Sequence, residues 1–551
     1  MLKRLSFLIM LLFAGLSQAQ HTKYFIQFTD KLNSPYNIGT PSDFLSQKAI
    51  DRRTRQHIAV IDNDIPVNPN YVAAVENTGA VIFAKSKWMN GVVVQCDSTQ
   101  LQNILTLSFV RNAKMVNRQA NSVGGKNKFK TSNTAPLAAG NLLRIQSYDY
   151  GSSFNQIHLM NGEYLHNAGF KGEGMTIAVL DGGFYSVDVL TPFDSINAAG
   201  QILGTWDFVA NDNSVYEDIT HGMSVLSCIA GNVSGQLVGT APHANFWLLR
   251  SEDAATENLI EEYNWVSAAE YADSVGADLI SSSLGYSTFD DSLMDHTYAD
   301  MNGDVCPSSI GADIAASKGL LVLVSAGNSG QNPWHYISAP SDADSVLSVA
   351  AVDEFGYKAN FSSWGPASDG AIKPNVAAKG KNTTISNFDG SIGQGNGTSF
   401  ACPVLAGAAA CLWQAHPLKT NMEVFHAIEE SANYYNNPGD SLGYGIPNFM
   451  VADLLLGGTV LNLDAEDNLL SVFPNPFQQS FEISYYSSLT QTIQLEVINE
   501  LGQNLMNSSA EVIGGKANTI TFPSLSSLQN GVYFVRVVSK SKSFLRKVVK
   551  I

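Results

Sequence analysis

Ser399 lies in Gly393-Gln394-Gly395-Asn396-Gly397-Thr398-Ser399-Phe400-Ala401-Cys402-Pro403, a glycine-rich turn directly ahead of a small-residue helix running from Ala401 to Cys411. A serine there presents its Oγ with the positive end of a helix behind it, which suits a nucleophile whose product is an oxyanion. Three further residues stand in contexts that suit the same chemistry. Asp181 closes the apolar run Thr176-Ile177-Ala178-Val179-Leu180, and in a parallel α/β sheet functional groups gather at the carboxyl ends of strands. His221 opens the helical stretch His221-Gly222-Met223-Ser224-Val225-Leu226-Ser227-Cys228-Ile229-Ala230-Gly231, and Asn328 follows the buried run Val324-Ser325-Ala326-Gly327. Ser281-Ser282-Ser283-Leu284-Gly285 ends another strand, with Gly285 leaving room for a second backbone to approach. Each residue alone has a structural reading: a turn serine, a buried aspartate, a capping histidine, a turn asparagine. For the set to mean nothing, these structural readings would all have to coincide in this chain order.

The elements that must hold these residues are legible as periodic runs. Residues 146–457 alternate short apolar strands (Met175 to Leu180, Phe246 to Arg250, Asp278 to Ser283, Leu320 to Ser325) with helices such as Thr256 to Val275 and Ile310 to Ser317. Strands that are apolar throughout are buried on both faces, so the pattern predicts an α/β domain with a mainly parallel sheet. Residues 20–118 predict a small α+β domain. Its helix from Pro41 to Gln56 takes Ser42 as cap and carries a charged face at Asp51-Arg52-Arg53. Around it come a strand from Thr22 to Thr29, helices from Asn68 to Asn77 and Gln100 to Leu107, and strands at Ala80 to Ser86 and Gly91 to Cys96. Residues 119–145, rich in Asn, Ser, Gly, Lys and Thr, read as an exposed, cleavable linker. After a second linker at 458–468, residues 469–551 mostly alternate apolar and polar positions at Ile493 to Ile498, Thr519 to Phe522 and Val532 to Val538. That predicts a small antiparallel β-sandwich.

The chain order Asp, His, Asn, Ser and the motifs around Asn328 and Ser399 resemble the subtilisin-like serine proteases, over roughly residues 150–457. Phe361-Ser362-Ser363-Trp364-Gly365-Pro366, Lys373-Pro374-Asn375-Val376 and Gly443-Tyr444-Gly445-Ile446-Pro447 fit later segments of that family. The resemblance implies a three-layer α/β fold and a serine endopeptidase acting on protein or peptide substrates, with no cofactor in the chemical step. It implies Ser399 as nucleophile, His221 as general base and Asp181 as the group that fixes the imidazole tautomer. It also implies Asn328 as oxyanion donor beside the Ser399 N–H, and Ser283-Leu284-Gly285 as the segment that pairs with substrate backbone. This chain departs from the family pattern at four places. Gly182 replaces the usual Ser or Thr after the Asp, which removes a supporting hydroxyl. Met223-Ser224 replaces the usual Thr-His after His221-Gly222. Cys402 stands where Ala is common and Lys379 where Pro is common. None removes a catalytic atom. Trp334 to Pro340, downstream of Asn328, offers candidates for a pocket wall.

Phe289 to Asp304 forms an acidic loop after the substrate segment. Asp300, Asn302 and Asp304 are hard-oxygen candidates for a structural calcium, without the closing Glu of an EF-hand; the other reading is a solvated acidic loop. The five cysteines (Cys96, Cys228, Cys306, Cys402, Cys411) are odd in number and contain no CxxC pair. They read as small buried hydrophobes, with a single bridge among the last four as the alternative.

A chain of 551 residues is too long for one core, and its 45% hydrophobic and 15% charged content is that of a globular protein. Lys3 and Arg4 precede an apolar stretch from Leu5 to Leu16 and then Ser17-Gln18-Ala19. This predicts a secretory signal over residues 1–19, too short for a membrane span, and a mature protein without a transmembrane helix. The net charge of −17 is uneven: residues 20–145 carry +8, residues 146–457 carry −27, and residues 458–551 carry zero. The basic and acidic pieces should attract each other, and the acidic centre argues against a nucleic-acid partner. Residues 20–118 loosely resemble a protease propeptide, which implies a zymogen masked by its own N-terminal domain; the other reading is an independent binding module.

Val472-Phe473-Pro474-Asn475-Pro476-Phe477, Val497-Ile498-Asn499-Glu500-Leu501-Gly502-Gln503, Asn530-Gly531-Val532-Tyr533 and Lys547-Val548-Val549-Lys550-Ile551 resemble the type IX secretion sorting domain of Bacteroidetes. That resemblance implies export through the periplasm and across the outer membrane by the type IX machinery. The rival reading is a retained carbohydrate- or surface-binding sandwich. For the whole chain the alternative to a protease is an inactive subtilase-fold adhesin or binding scaffold, which does not require all four chemical residues. An esterase usually has Ser-Asp-His order and a Gly-x-Ser-x-Gly elbow, and this chain has neither.

Overall fold

The computed structural model describes residues 22–118, 148–217, 219–458, 468–487, 489–514, 516–522, 525–540 and 542–551. The expected signal segment, the 119–145 linker and all but the ends of the 458–468 linker lie outside the described residues. Among the described residues the central sheet has seven strands, all parallel. Their order is Val376–Lys379, Val346–Val352, Leu321–Ser325, Leu279–Ser282, Thr176–Asp181, Asn245–Arg250, Ile202–Asp207. Ile202–Asp207, Val346–Val352 and Val376–Lys379 add to the four strands read from sequence. Strand order reverses at Thr176–Asp181, so the carboxyl ends of its neighbours open onto one crevice, where ligands of such sheets bind.

Thr176–Asp181, Leu279–Ser282 and Leu321–Ser325 are buried along their whole length. Alternation within each strand divides it between two layers. Ile177 and Val179 join a core with the helices His221–Ala230 and Thr398–Ala415, whereas Ala178 and Leu180 join another with Ile260–Val275 and Pro307–Ser317. Thr398–Ala415 is long and apolar enough to cross a membrane, but it is the buried centre of this domain. All five cysteines are buried and unpaired, so the bridge considered above does not form.

The N-terminal unit is a four-stranded antiparallel sheet in the order Val81–Ser86, Gly91–Cys96, Thr22–Phe28, Val110–Asn117. The helix expected from Pro41 is divided. Pro41–Asp43 is a single 3-10 turn and the α-helix is Gln47–Arg55, with Ser46 rather than Ser42 accepting the Ala49 N–H. One face of the sheet, with Ile26, Phe28, Val92 and Val94, packs on Val72, Val75 and Ile104 of its own helices. The other face sends Phe25, Val93 and Val116 into the core of the central domain, where Phe25 stacks on Tyr263 at 4.5 Å.

Charge complementarity is built into this contact. The charged face expected at Asp51-Arg52-Arg53 is split: Asp51 is exposed, while Arg52 and Arg53 are each 1% exposed and reach across the interface. Asp273, on the helix Ile260–Val275, meets Arg52 at 2.5 Å, Arg53 at 2.8 Å and Lys87 at 3.2 Å. Burial by itself raises the Asp273 carboxyl, but Lys87, Arg52 and Arg53 outweigh it and hold the group at about 2. One turn earlier, Glu270 accepts from Ser86 Oγ (2.6 Å), Lys87 N–H (2.8 Å) and Trp88 N–H (3.0 Å). There burial prevails and lifts the carboxyl above its ordinary value.

The C-terminal unit pairs two antiparallel sheets. Asn468–Phe473, Glu482–Ser487 and Lys516–Thr521 form one; Asn504–Val512, Gln491–Asn499, Gly531–Val538 and Ser543–Lys550 form the other. Phe477, Ile483, Tyr485, Leu495 and Val535 fill the space between them.

Candidate active site

Asp181 is the last residue of its strand and is fully buried. Its Oδ1 accepts the Gly182 N–H at 2.8 Å, so backbone supplies a donor where residue 182 has no hydroxyl. Arg250, the register neighbour of Asp181, donates Nε to the Gly182 carbonyl at 3.1 Å and Nη1 to Asp207 at 2.5 Å. The turn after Asp181 is thereby held on both sides of Gly182.

His221 is the first residue of its helix and is 6% exposed. Its Nδ1–H is shared between Asp181 Oδ1 at 2.8 Å and Oδ2 at 3.0 Å. A carboxylate only accepts, so the proton sits on Nδ1 and Nε2 is left as the basic nitrogen. The helix comes this close because residue 222 is glycine: a Cβ there would lie 2.4 Å from Gly183 O and 2.8 Å from Asp181 Cβ. Ser224 Oγ donates to the Ser386 carbonyl and Ser227 Oγ accepts the Ser386 N–H, both at 2.9 Å, which pins the helix to the strand Thr383–Ser386. Met223 points into the core.

Ser399 is the second residue of Thr398–Ala415. Its Oγ reaches the Ser283 carbonyl at 3.4 Å, and its own carbonyl accepts Ser283 Oγ at 2.8 Å. The ring of Phe400 is 6.2 Å from that of His221, which sets the first turn of this helix beside the imidazole. Asn328 Oδ1 accepts both the Thr398 N–H (2.9 Å) and Thr398 Oγ1 (3.0 Å), fixing the amide orientation. A Cβ at Gly397 would sit 3.7 Å from Asn328 Nδ2 and 3.6 Å from the Ser399 nitrogen. The Asn328 amide nitrogen and the Ser399 nitrogen thus lie beside the same glycine and next to the Ser399 hydroxyl, the atoms an oxyanion site needs.

The geometry thus gathers Asp181, His221, Ser399, Asn328 and the segment Ser283-Leu284-Gly285. Asp300, Asn302 and Asp304 instead form a self-capped turn. Asp300 Oδ2 accepts the Thr297 N–H (2.7 Å) and Oγ1 (2.8 Å), and Asn302 Oδ1 accepts the Asp304 N–H (3.0 Å). Two of the candidate calcium-ligand oxygens are engaged by these bonds. Sequence reasoning missed Arg250 and Thr398. Arg250 was visible as a cation closing an apolar strand, and Thr398 as the hydroxyl beside Ser399, but neither type of residue announces a partner from another strand end.

Residues 172–446 match the subtilase family, residues 23–134 the peptidase S8 propeptide domain of Bacteroidota, and residues 471–551 a secretion system C-terminal sorting domain. Subtilisin E of Bacillus subtilis (strain 168) is 30% identical over 304 residues, which cover 54% of this chain and 69% of that protein. Subtilisin of Bacillus pumilus is 30% identical over 304 residues, covering 54% of this chain and 96% of that protein. The chain belongs to the subtilase family. This subtilase is a serine endopeptidase, carries a propeptide domain as a zymogen does, and bears a sorting domain that marks a secreted or cell-surface protein. Its departures from the family pattern sit in packed surroundings. Cys402 Sγ donates to the Ser282 carbonyl at 3.6 Å beneath the nucleophile turn, and burial pushes the Lys379 ammonium down to about 8.

Proposed function

We propose that this subtilase cleaves internal peptide bonds through an acyl-enzyme, using Asp181, His221 and Ser399 as its triad and Asn328 with the Ser399 N–H as oxyanion donors. Ser399 Oγ attacks the scissile carbonyl while His221 Nε2 takes its proton, and Asp181 stabilises the imidazolium. The imidazolium then protonates the departing amine. Water, deprotonated by the same nitrogen, hydrolyses the ester. Ser283-Leu284-Gly285 pairs with the substrate as an added strand. No cofactor takes part in these steps.

The observation that carries the reading is the double contact of His221 Nδ1 on Asp181, because it leaves Nε2 as the acceptor the mechanism needs. Casein hydrolysis by mature wild type and by Ser399→Ala tests it. The variant should lose on the order of 10⁶-fold in kcat; equal rates would leave only the scaffold reading. In the same proposal the N-terminal domain masks the cleft until it is removed, and the C-terminal domain directs export from the periplasm through the type IX machinery. Deleting residues 531–551 should strand the protein in the periplasm, and normal secretion would refute that route.

A further inference from the structure

Two helix starts and one loop converge on a cluster that the acyl-transfer reading does not use. Glu262 lies in the first turn of Ile260–Val275, and Cys306 is the residue just before Pro307–Ser317. His296 stands on the loop between the substrate segment and Cys306. A carboxylate oxygen, a ring nitrogen and the sulfur of these three residues lie within 4.8 Å of one another. Glu262 and Cys306 are fully buried, and the His296 side chain is 8% exposed, so the imidazole forms the outer edge of the cluster.

Each group is held with a donor atom facing inward. Glu262 Oε2 accepts the Ser308 N–H at 3.0 Å and Ser308 Oγ at 2.7 Å. That leaves Oε1 directed at His296 Nε2, 2.5 Å away. His296 donates its backbone N–H to the Ser287 carbonyl at 2.8 Å and sets its ring edge-on to Phe289, 5.3 Å between centroids. Cys306 Sγ lies 3.6 Å from the Asp300 carbonyl oxygen. Burial first, then the charges of Glu262, Asp342 and Asp300, push the Cys306 thiol up, with Lys114 of the N-terminal sheet opposing them. The surroundings of this sulfur are thus negative, a potential that a cation relieves.

A thiol, an imidazole and a carboxylate together do not suit calcium or magnesium, which take oxygen ligands; they suit zinc. Zinc bonds of about 2.0–2.3 Å set tetrahedral ligand atoms about 3.3–3.8 Å apart. Cys306 Sγ and the Asp300 carbonyl already have that spacing. His296 Nε2 and Glu262 Oε1 need to part by about 1 Å as the ion replaces the proton between them. We propose that Glu262 Oε1, His296 Nε2 and Cys306 Sγ form a structural zinc site, with the Asp300 carbonyl as fourth ligand. The Cys306 S–H bond breaks as the sulfur–zinc bond forms, and its proton leaves to solvent. The proton on His296 Nε2 shifts to Nδ1 or, where Nδ1 already carries one, also leaves to solvent. The ion ties the starts of two helices to the loop that follows Ser283-Leu284-Gly285, and Ser308 supports it through Glu262.

The test uses the full-length chain carrying Ser399→Ala, so that it does not digest itself, dialysed free of metal. Co²⁺ should bind at one equivalent and give the near-ultraviolet absorption of thiolate-to-cobalt charge transfer. Zn²⁺ should abolish that absorption and raise the melting temperature, and Cys306→Ala should never show it. Ser308→Ala should weaken Zn²⁺ binding by about 10- to 100-fold, the usual effect of losing a group that orients a ligand, and Cys306→Ala and His296→Gln by more than about 100-fold. His296→Gln, at the outer edge, serves where Cys306→Ala does not fold. Failure to bind a stoichiometric ion, or unchanged Zn²⁺ affinity in the ligand variants, would overturn the proposal. Neither result bears on the acyl-transfer reading, which Ser399-dependent hydrolysis tests separately.

Discussion

Asp273→Asn removes one negative charge from beneath three cations at the contact between the N-terminal and catalytic domains. Removing one member of a buried, hydrogen-bonded charge pair costs about 2–5 kcal/mol. The stranded cations keep part of their coordination. Arg52 still donates to the Ala277 and Lys318 carbonyls, Arg53 to Asp64, and Lys87 to Ser274 Oγ. That places the loss at the lower end, about 2–3 kcal/mol, or roughly 30- to 150-fold in inhibition constant. The assay is inhibition of the mature enzyme by residues 20–140 supplied in trans, wild type against Asp273→Asn. Uninhibited kcat should be the same in both, since Asp273 is no part of the triad. A change below about threefold would refute the reasoning, because it would mean that water or relaxation replaces the charge without cost. Acidity sharpens the test. Asp273 is depressed to about 2 from 3.8, so its contribution is complete above 3.8 and lost only as pH falls toward 2. Glu270 is raised above 4.5, so its contribution is fully present below 4.5 and lost as pH rises through the raised value. Inhibition by way of these two acids should therefore be no weaker at about pH 5 than at about pH 7; release of the domain on mild acidification would contradict this.

Asn328→Ala should lower kcat by roughly 10²–10³ with KM little changed; a purely KM effect in steady-state kinetics would deny it the oxyanion role. Gly222→Ala drives a methyl into Gly183 O and Asp181, and a displacement near 1 Å of the imidazole should cost about 10²-fold in kcat. Wild-type kinetics in that variant would show that the helix has slack. Because the Asp300 turn caps itself, EGTA treatment with zinc restored should leave the melting temperature unchanged, and a drop of several degrees that Ca²⁺ reverses would establish a structural calcium.

The proposed catalytic residues could be named as candidates because each lies in a local motif: a strand end, a helix start, a glycine turn. The strands Thr176–Asp181 and Leu321–Ser325 were legible because parallel-sheet burial makes them apolar throughout. Ile202–Asp207 was not, because it is the sheet edge and carries Gly204, Thr205 and a half-exposed face. Val110–Asn117 escaped for the same reason, with Arg111, Asn112 and Lys114 along an outer strand. Arg52 and Arg53 read as a charged face because their counter-charge, Asp273, lies more than two hundred residues away. Charge totals gave the attraction between the two domains but not its burial.

The N-terminal sheet is covered on both faces only while it is docked. Once the chain is cut and the piece departs, Phe25, Val93 and Val116 lose their cover, each worth about 1.5–3 kcal/mol of burial, and Arg52 loses its counter-ion while Arg53 keeps only Asp64. Under the masking role proposed above, the freed domain would be less durable than the bound one and would be released beside an enzyme that digests loosened chains. Maturation would then work as a ratchet: the first cleavage turns the guardian into perishable material, and the reverse step soon has no reactant left.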